Sequence, residues 1–283
     1  MMPNTELHAA LQWHIDAGCD ECVADEPIDR FEVSAIMAAA SASQAPVKAS
    51  PAQQTAMPDR AGHNPPGVSK GAKVNPVDVD NNRQLRTAVE LAAAASSIEE
   101  LKSALAGFDG CLLKKTATNL VLCDGPADAR LMLIGEAPGA DEDRQGVPFV
   151  GPSGQMLNAI LASVGIARED VMISNTVFWR PPGNRTPTGQ EAAVCKPFIE
   201  RLVELVDPKI LVCVGAPAAH TMLGETQGIG RLRGKWFSFQ TPSLSHPIAA
   251  TALFHPAYLL RTPSKKRDVW ADIRMIKARL DAV

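Results

Sequence analysis

Between residues 118 and 254 the chain alternates short apolar runs with stretches of helical period. The runs are "TNLVLC" (118–123), "RLMLIG" (130–135), "VMISN" (171–175), "KILVCVG" (209–215), "WFSF" (236–239) and "ATALF" (250–254). Runs that are apolar throughout and bounded by turns predict strands covered on both faces. Between them, "GQMLNAILASVG" (154–165) predicts a helix, and Thr188 with Glu191 forms a capping box for another, running to about Leu205. The alternation predicts an α/β fold, a three-layer α/β/α sandwich with a central, mostly parallel sheet. Such sheets bind ligands at the carboxyl ends of their strands. The turns at Gly135, Asn175, Gly215 and His255 then face one crevice.

The rest of the chain divides by composition. Residues 1–37 form an acidic segment, with eight acids and one base in the first 32 positions. Leu7, Leu11 and Ile15 suggest a short helix there, suited to a protein partner. Residues 38–82 are rich in Ala, Pro, Ser and Gly and hold too few large apolar side chains to offset chain entropy, so they predict a disordered linker. The globular domain is expected over 83–283. It opens on a helix at "RQLRTAVELAAAA", continues with a helix over 98–107 capped by Ser97 and Glu100, and closes on one started by Thr262 and Pro263. Residues 221–283 carry ten Lys/Arg against four Asp/Glu, a surface suited to a polyanion. No apolar run approaches the roughly 20 residues of a membrane span. The N-terminus lacks the pattern of a signal peptide. Six cysteines in 283 residues do not suggest a disulfide scaffold. The expectation is a cytoplasmic monomer with no membrane contact.

Three stretches carry chemistry: "GEAPGADEDRQGVPFVG" (135–151), "NTVFWRPPGNRTP" (175–187) and "HPAYLLR" (255–261). The first has the glycines of a phosphate loop, but Glu136, Asp141, Glu142 and Asp143 would repel a phosphate. Asn175 presents a donor and an acceptor on one plane, a match for a base edge, or alternatively a strand-end turn. His255 is either a hydrogen-bond donor at a developing anion or a capping or core histidine. Phe149 is either a stacking surface or a core side chain.

Together these motifs resemble the uracil-DNA glycosylase superfamily, most closely its family 4, over residues 108–280. The resemblance implies hydrolysis of the N-glycosidic bond of uracil in DNA, leaving an abasic site. It implies that Phe149 stacks on a flipped base, that Asn175 reads uracil O4 and N3–H, and that His255 stabilises the charge gained at O2. Gly135 and Ala137 line the base pocket. Ala137 stands where distant relatives carry a catalytic Asp, which leaves Glu136 in a supporting role toward water or sugar. Glu142 is expected beside uracil C5, against thymine's methyl group, with Asp143 tying the loop together and Asp141 solvated. Leu259 or Leu260 is the wedge that fills the gap in the duplex. Ser153, Arg180, Arg185, Arg233 and Arg261 are the expected phosphate contacts. No lysine stands in the motifs to attack the sugar, so no lyase step is expected.

Family 4 implies a [4Fe–4S] cluster on four cysteines. Here Phe108 and Trp179 occupy two of those positions, and only Cys111 and Cys195 remain. The expectation is that no cluster binds and that the aromatics fill its place. Cys19 and Cys22 form a separate "CDEC" pair, read as surface residues, while Cys123 and Cys213 read as core. Two other functions stay open from sequence: excision of hypoxanthine or xanthine, and non-catalytic binding of damaged DNA.

Overall fold

The computed structural model of the chain describes residues 76–283. The acidic segment, its short helix, Cys19 and Cys22, and the linker as far as residue 75 lie outside the described residues. The first described helix, α1, spans Pro76–Ala94 and so begins inside the stretch expected as linker. A proline suits a first helical position, where its missing N–H has no intrahelical partner to lose. The polar "NPVDVDNN" sequence hid this start from propensity. Ala88, Ala92 and Ala95 are buried, and Arg201 Nε donates to the Ala95 carbonyl at 2.9 Å, which ties the end of α1 to the domain.

Helix α2 (Ile98–Gly107) starts where Ser97 accepts the Glu100 amide. The sheet is built from β1 (Cys123–Asp124), β2 (Leu131–Gly135), β3 (Val171–Asn175), β4 (Ile210–Val214), β5 (Phe237–Phe239) and β6 (Ile248–Leu253). Its order is β1-β3-β2-β4-β6-β5. The four central strands are parallel, and the two edges are antiparallel. The expected strand 118–123 is reduced to the pair β1. Its upstream backbone bonds elsewhere: the amides of Thr118 and Asn119 donate to the Asp143 carboxylate at 2.8 and 3.1 Å.

Both faces of the sheet are covered because its strands alternate. Met132 and Ile134 of β2 pack with Leu101, Leu105, Phe198 and Leu202, under α1, α2 and α5 (Gly189–Val206). Leu131 and Leu133 pack the other way, with Leu157, Leu161, Val269 and Ile273. These come from α4 (Pro152–Ala162) and α9 (Lys266–Asp281). Each fully buried leucine contributes about 1.5–3 kcal/mol. Between α2 and α9 run the shorter helices α3 (Ala140–Gln145), α6 (Ala216–Leu223), α7 (Ile229–Leu232) and α8 (Pro256–Arg261). The capping box at Thr188 and Glu191 is present. Thr262 and Pro263 open only a 3-10 turn, and α9 follows from Lys266. No described helix is long and apolar enough to cross a membrane.

Candidate active site

Gly135 lies opposite Asn175 in the β2–β3 register, so the first two motifs leave the sheet side by side. The turns after β4 and β6 emerge on the same edge. They enclose a cleft of about 620 Å³ whose lining includes Glu136, Ala137, Phe149, Asn175 and His255.

Gly135 makes the base of the cleft compact. A Cβ there would stand 2.4 Å from Asn175 Oδ1 and 2.6 Å from Phe149 Cζ, so only glycine lets those two side chains meet. Phe149 is buried and holds a φ of 53°, strained for a non-glycine residue. Gly154 permits it, since a Cβ there would lie 1.8 Å from the Phe149 carbonyl oxygen. Arg168, unnoticed in the sequence, holds it. Its Nη1 donates to the Phe149 carbonyl at 3.2 Å, and its Nη2 donates to the Pro148 carbonyl and to Asp124, both at 2.8 Å.

Asn175 is 2% exposed, and its side chain lines the cleft. A largely buried amide that borders a cleft presents a donor and an acceptor to a ligand's edge.

His255 borders the cleft and has the capping part read for it in the sequence. It is the N-cap of α8, its Nδ1 accepting the Ala257 amide at 3.2 Å. That bond leaves the proton on Nε2, the nitrogen free to donate. Burial pushes the imidazole's pKa down to about 4, helped by Arg261 and opposed by Glu142, so the ring is neutral near pH 7. Its ring centroid lies 5.8 Å from that of Phe149. Gly215, at φ +97°, makes room behind it, where a Cβ would approach His255 Cβ to 3.3 Å.

The acids divide differently from expectation. Glu136 is half-buried, and burial raises its carboxyl's pKa while a hydrogen bond from Thr186 lowers it. Glu142, expected as a catalytic group guarding uracil C5, is a loop clamp. Its Oε2 accepts the Gly139 amide at 3.0 Å, and its Oε1 accepts those of Val150 and Gly151 at 3.0 and 2.9 Å. The side chain still borders the cleft, but its oxygens are engaged by the backbone. Asp143 ties α3 to the 118–119 backbone, as anticipated. Asp141 pairs with Arg144 and is only partly solvated.

Other expectations need correction. Leu259 is fully buried and cannot leave the core, whereas Leu260 is 45% exposed. Consecutive positions on α8 point about 100° apart, so one of the two must face inward. Arg233 is not a free phosphate contact. Its Nε and Nη2 bond the buried Asp272 at 2.7 and 2.8 Å, and Nη2 also bonds the Asp268 carbonyl at 2.7 Å. Arg185 borders the cleft, but its fork is held by Glu191 at 2.9 and 2.7 Å. Arg180 Nε donates to Asn184 Oδ1 at 2.8 Å. Ser153, in the first turn of α4, and exposed Arg261 line the cleft.

Below the cleft, Phe108, Cys111, Trp179 and Cys195 share one buried cluster. Phe108 packs on Phe198 with centroids 5.3 Å apart, and Trp179 stands edge-on to Phe178 at 6.3 Å. The Cys195 thiol donates to Cys111 Sγ at 4.0 Å. That bond, with burial, pushes the Cys195 thiol's pKa up, and it draws the Cys111 thiol's down. Two thiols flanked by packed aromatics do not supply the four thiolates of a cubane cluster. Among the described residues, no group of three or more His, Cys, Asp or Glu is placed to hold a metal ion.

The α/β sandwich thus places an aromatic ring, an amide and an imidazole in one cleft at the carboxyl ends of its parallel strands. The chain belongs to the uracil DNA glycosylase superfamily, whose family model matches residues 123–274. It is similar to the type-4 uracil-DNA glycosylase of Archaeoglobus fulgidus, with 35% identity over 184 residues, 64% of this chain and 92% of that one. The type-4 uracil-DNA glycosylase of Thermotoga maritima is 39% identical over 171 residues, covering 59% and 86%. That of Pyrobaculum aerophilum is 33% identical over 182 residues, covering 63% and 92%.

Proposed function

We propose that this chain is a monofunctional uracil-DNA glycosylase. The observation that carries the reading is the Nε2–H of His255, fixed by the Ala257 cap in the same cleft as the Asn175 amide. A uracil flipped from DNA stacks on Phe149, and its O4 and N3–H pair with Asn175. As the N1–C1′ bond breaks, the electron pair goes to the base, and charge gathers near O2. The Nε2–H stabilises that charge without giving up its proton, a preorganised donor of the oxyanion-hole kind. Glu136 faces the cationic sugar and the water that adds to C1′. Water supplies the hydroxyl at C1′ and a proton for the base, so an abasic site remains. Leu260 enters the gap in the stack, and Arg261 and Ser153 meet phosphates.

The catalytic domain works without an iron–sulfur cluster. Phe108 and Trp179 fill the volume that two cluster thiolates would occupy, which supports this reading.

The test is alkali cleavage of labelled oligonucleotides carrying uracil, hypoxanthine or xanthine, in single and double strands. Cleavage at uracil is expected. Intact uracil DNA with cleavage at a deaminated purine would move the assignment to that base.

A further inference from the structure

The face of α9 turned away from the core carries an aromatic side chain among cations. Val269, Ile273 and Ile276 are buried in one cluster with Leu157 and Leu161 of α4. Trp270 points the other way and is 50% exposed. Lys266, Trp270 and Arg274 recur every four residues and share one exposed stripe, about 12 Å long on the helix axis. Arg267, also exposed, lies three residues before the tryptophan. The Arg274 guanidinium sits over the indole ring, 4.7 Å from its centroid. The acids of this segment are already neutralised. Asp272 is buried and bonded to Arg233, and Asp268 pairs with Lys265. Arg261, Lys266, Arg267 and Arg274 form no ion pair among the described residues. Arg261 borders the base cleft, and only Thr262 and one 3-10 turn separate it from Lys266. The stripe thus begins one short turn from the cleft.

We propose that this face of α9 binds the unpaired DNA strand beside the target nucleotide: Trp270 stacks on an unpaired base, and Arg261, Lys266, Arg267 and Arg274 meet the strand's phosphates. The inference deepens the glycosylase reading and rests on it for the place of the uracil. A single exposed apolar side chain is ordinary on a protein surface. An aromatic ring set among free cations, with the neighbouring acids neutralised, is the combination that holds single strands without regard to sequence. Charge alone would serve a duplex equally well. The indole would not, because a duplex keeps its base faces stacked inside. The surface therefore favours uracil in single-stranded DNA, where no partner strand has to be displaced before the base enters the cleft.

The test uses the full chain and a labelled oligothymidylate without uracil, single-stranded and paired with its adenine complement. Anisotropy measures affinity, and quenching of tryptophan fluorescence reports stacking. Trp270→Ala should weaken single-strand binding about tenfold, as for loss of one stacked base, and duplex binding less than about twofold. Trp270→Phe keeps a stacking ring. It should hold single-strand affinity within about threefold while removing most of the quenching. Lys266→Gln combined with Arg267→Gln should flatten the log–log dependence of single-strand affinity on salt by about 1.4, or ~0.7 for each phosphate. The three side chains are exposed, so all these variants should melt with the wild type. An unchanged single-strand affinity in Trp270→Ala, an equal loss for the duplex, or quenching that persists in Trp270→Phe overturns the proposal. Uracil excision is followed separately. A wild type that binds the strand in this way but leaves uracil DNA intact keeps the strand surface and loses the glycosylase reading. One that excises uracil without these binding signatures loses this inference alone.

Discussion

Arg168 reaches across the cleft wall and holds the carbonyl of Phe149 at 3.2 Å. With Asp124 on its other side, the guanidinium bridges an edge strand and a strained stacking residue. The platform for the base is thus held in place by a residue outside every motif.

Arg168→Met should therefore act on catalysis through Phe149. We expect excision to slow about tenfold or more, since small misplacements in a reacting site are expensive. Stability should fall by about 1–3 kcal/mol, because the Phe149 and Pro148 carbonyls lose their donor. Single-turnover rates and urea melts of the same variant separate the two effects.

The two adjacent leucines of "HPAYLLR" should behave oppositely. Leu259→Ala opens a cavity in the core and costs about 2–5 kcal/mol. Leu260→Ala should leave stability within about 0.5 kcal/mol. It should slow excision from double strands more than from single strands, where no stack has to be refilled. Melting curves together with strand-specific rates check both.

Stability should depend on pH through His255. Its folded pKa of about 4 lies below the unfolded value of about 6.5. Between those values the unfolded chain binds a proton that the folded one does not, so stability falls as pH drops from about 6.5 to about 4. The full contribution is roughly 3 kcal/mol. His255→Asn keeps a capping side chain and should lose this part of the pH dependence. Urea unfolding at a series of pH values measures the difference.

Protein purified without oxygen should contain no stoichiometric iron and show no iron–sulfur absorption. Stoichiometric iron would mean that Phe108 and Trp179 yield their places to ligands from elsewhere.

Much of the sheet was legible because its central strands are apolar from end to end: Leu131–Gly135 and Val171–Asn175 fall where the runs fall. The N-cap at Ser97 and the capping box at Thr188 were legible because their spacing is local, although Glu100 turns back to Ser96 rather than to the Ser97 amide. Phe149, Asn175 and His255 stood in motifs whose order survives in the fold, and the structure gathers them in one cleft. What escaped depends on partners distant in sequence. Arg233 reads as a free cation until Asp272, 39 residues on, is brought against it. Glu142 reads as catalytic until three amides turn to face it. Arg168 carried no local signal at all, because its partners come from β1, the Phe149 turn and α4.

The central claim is that a neutral His255, held by the Ala257 amide, stabilises the departing base. Single-turnover excision of uracil by the wild type and by His255→Asn tests it most directly, because asparagine preserves the cap and removes the imidazole Nε2–H. The account predicts a rate lower by about 10²–10³, as for loss of an oxyanion donor, with affinity for uracil-containing DNA little changed. A His255→Asn rate close to that of the wild type would contradict it.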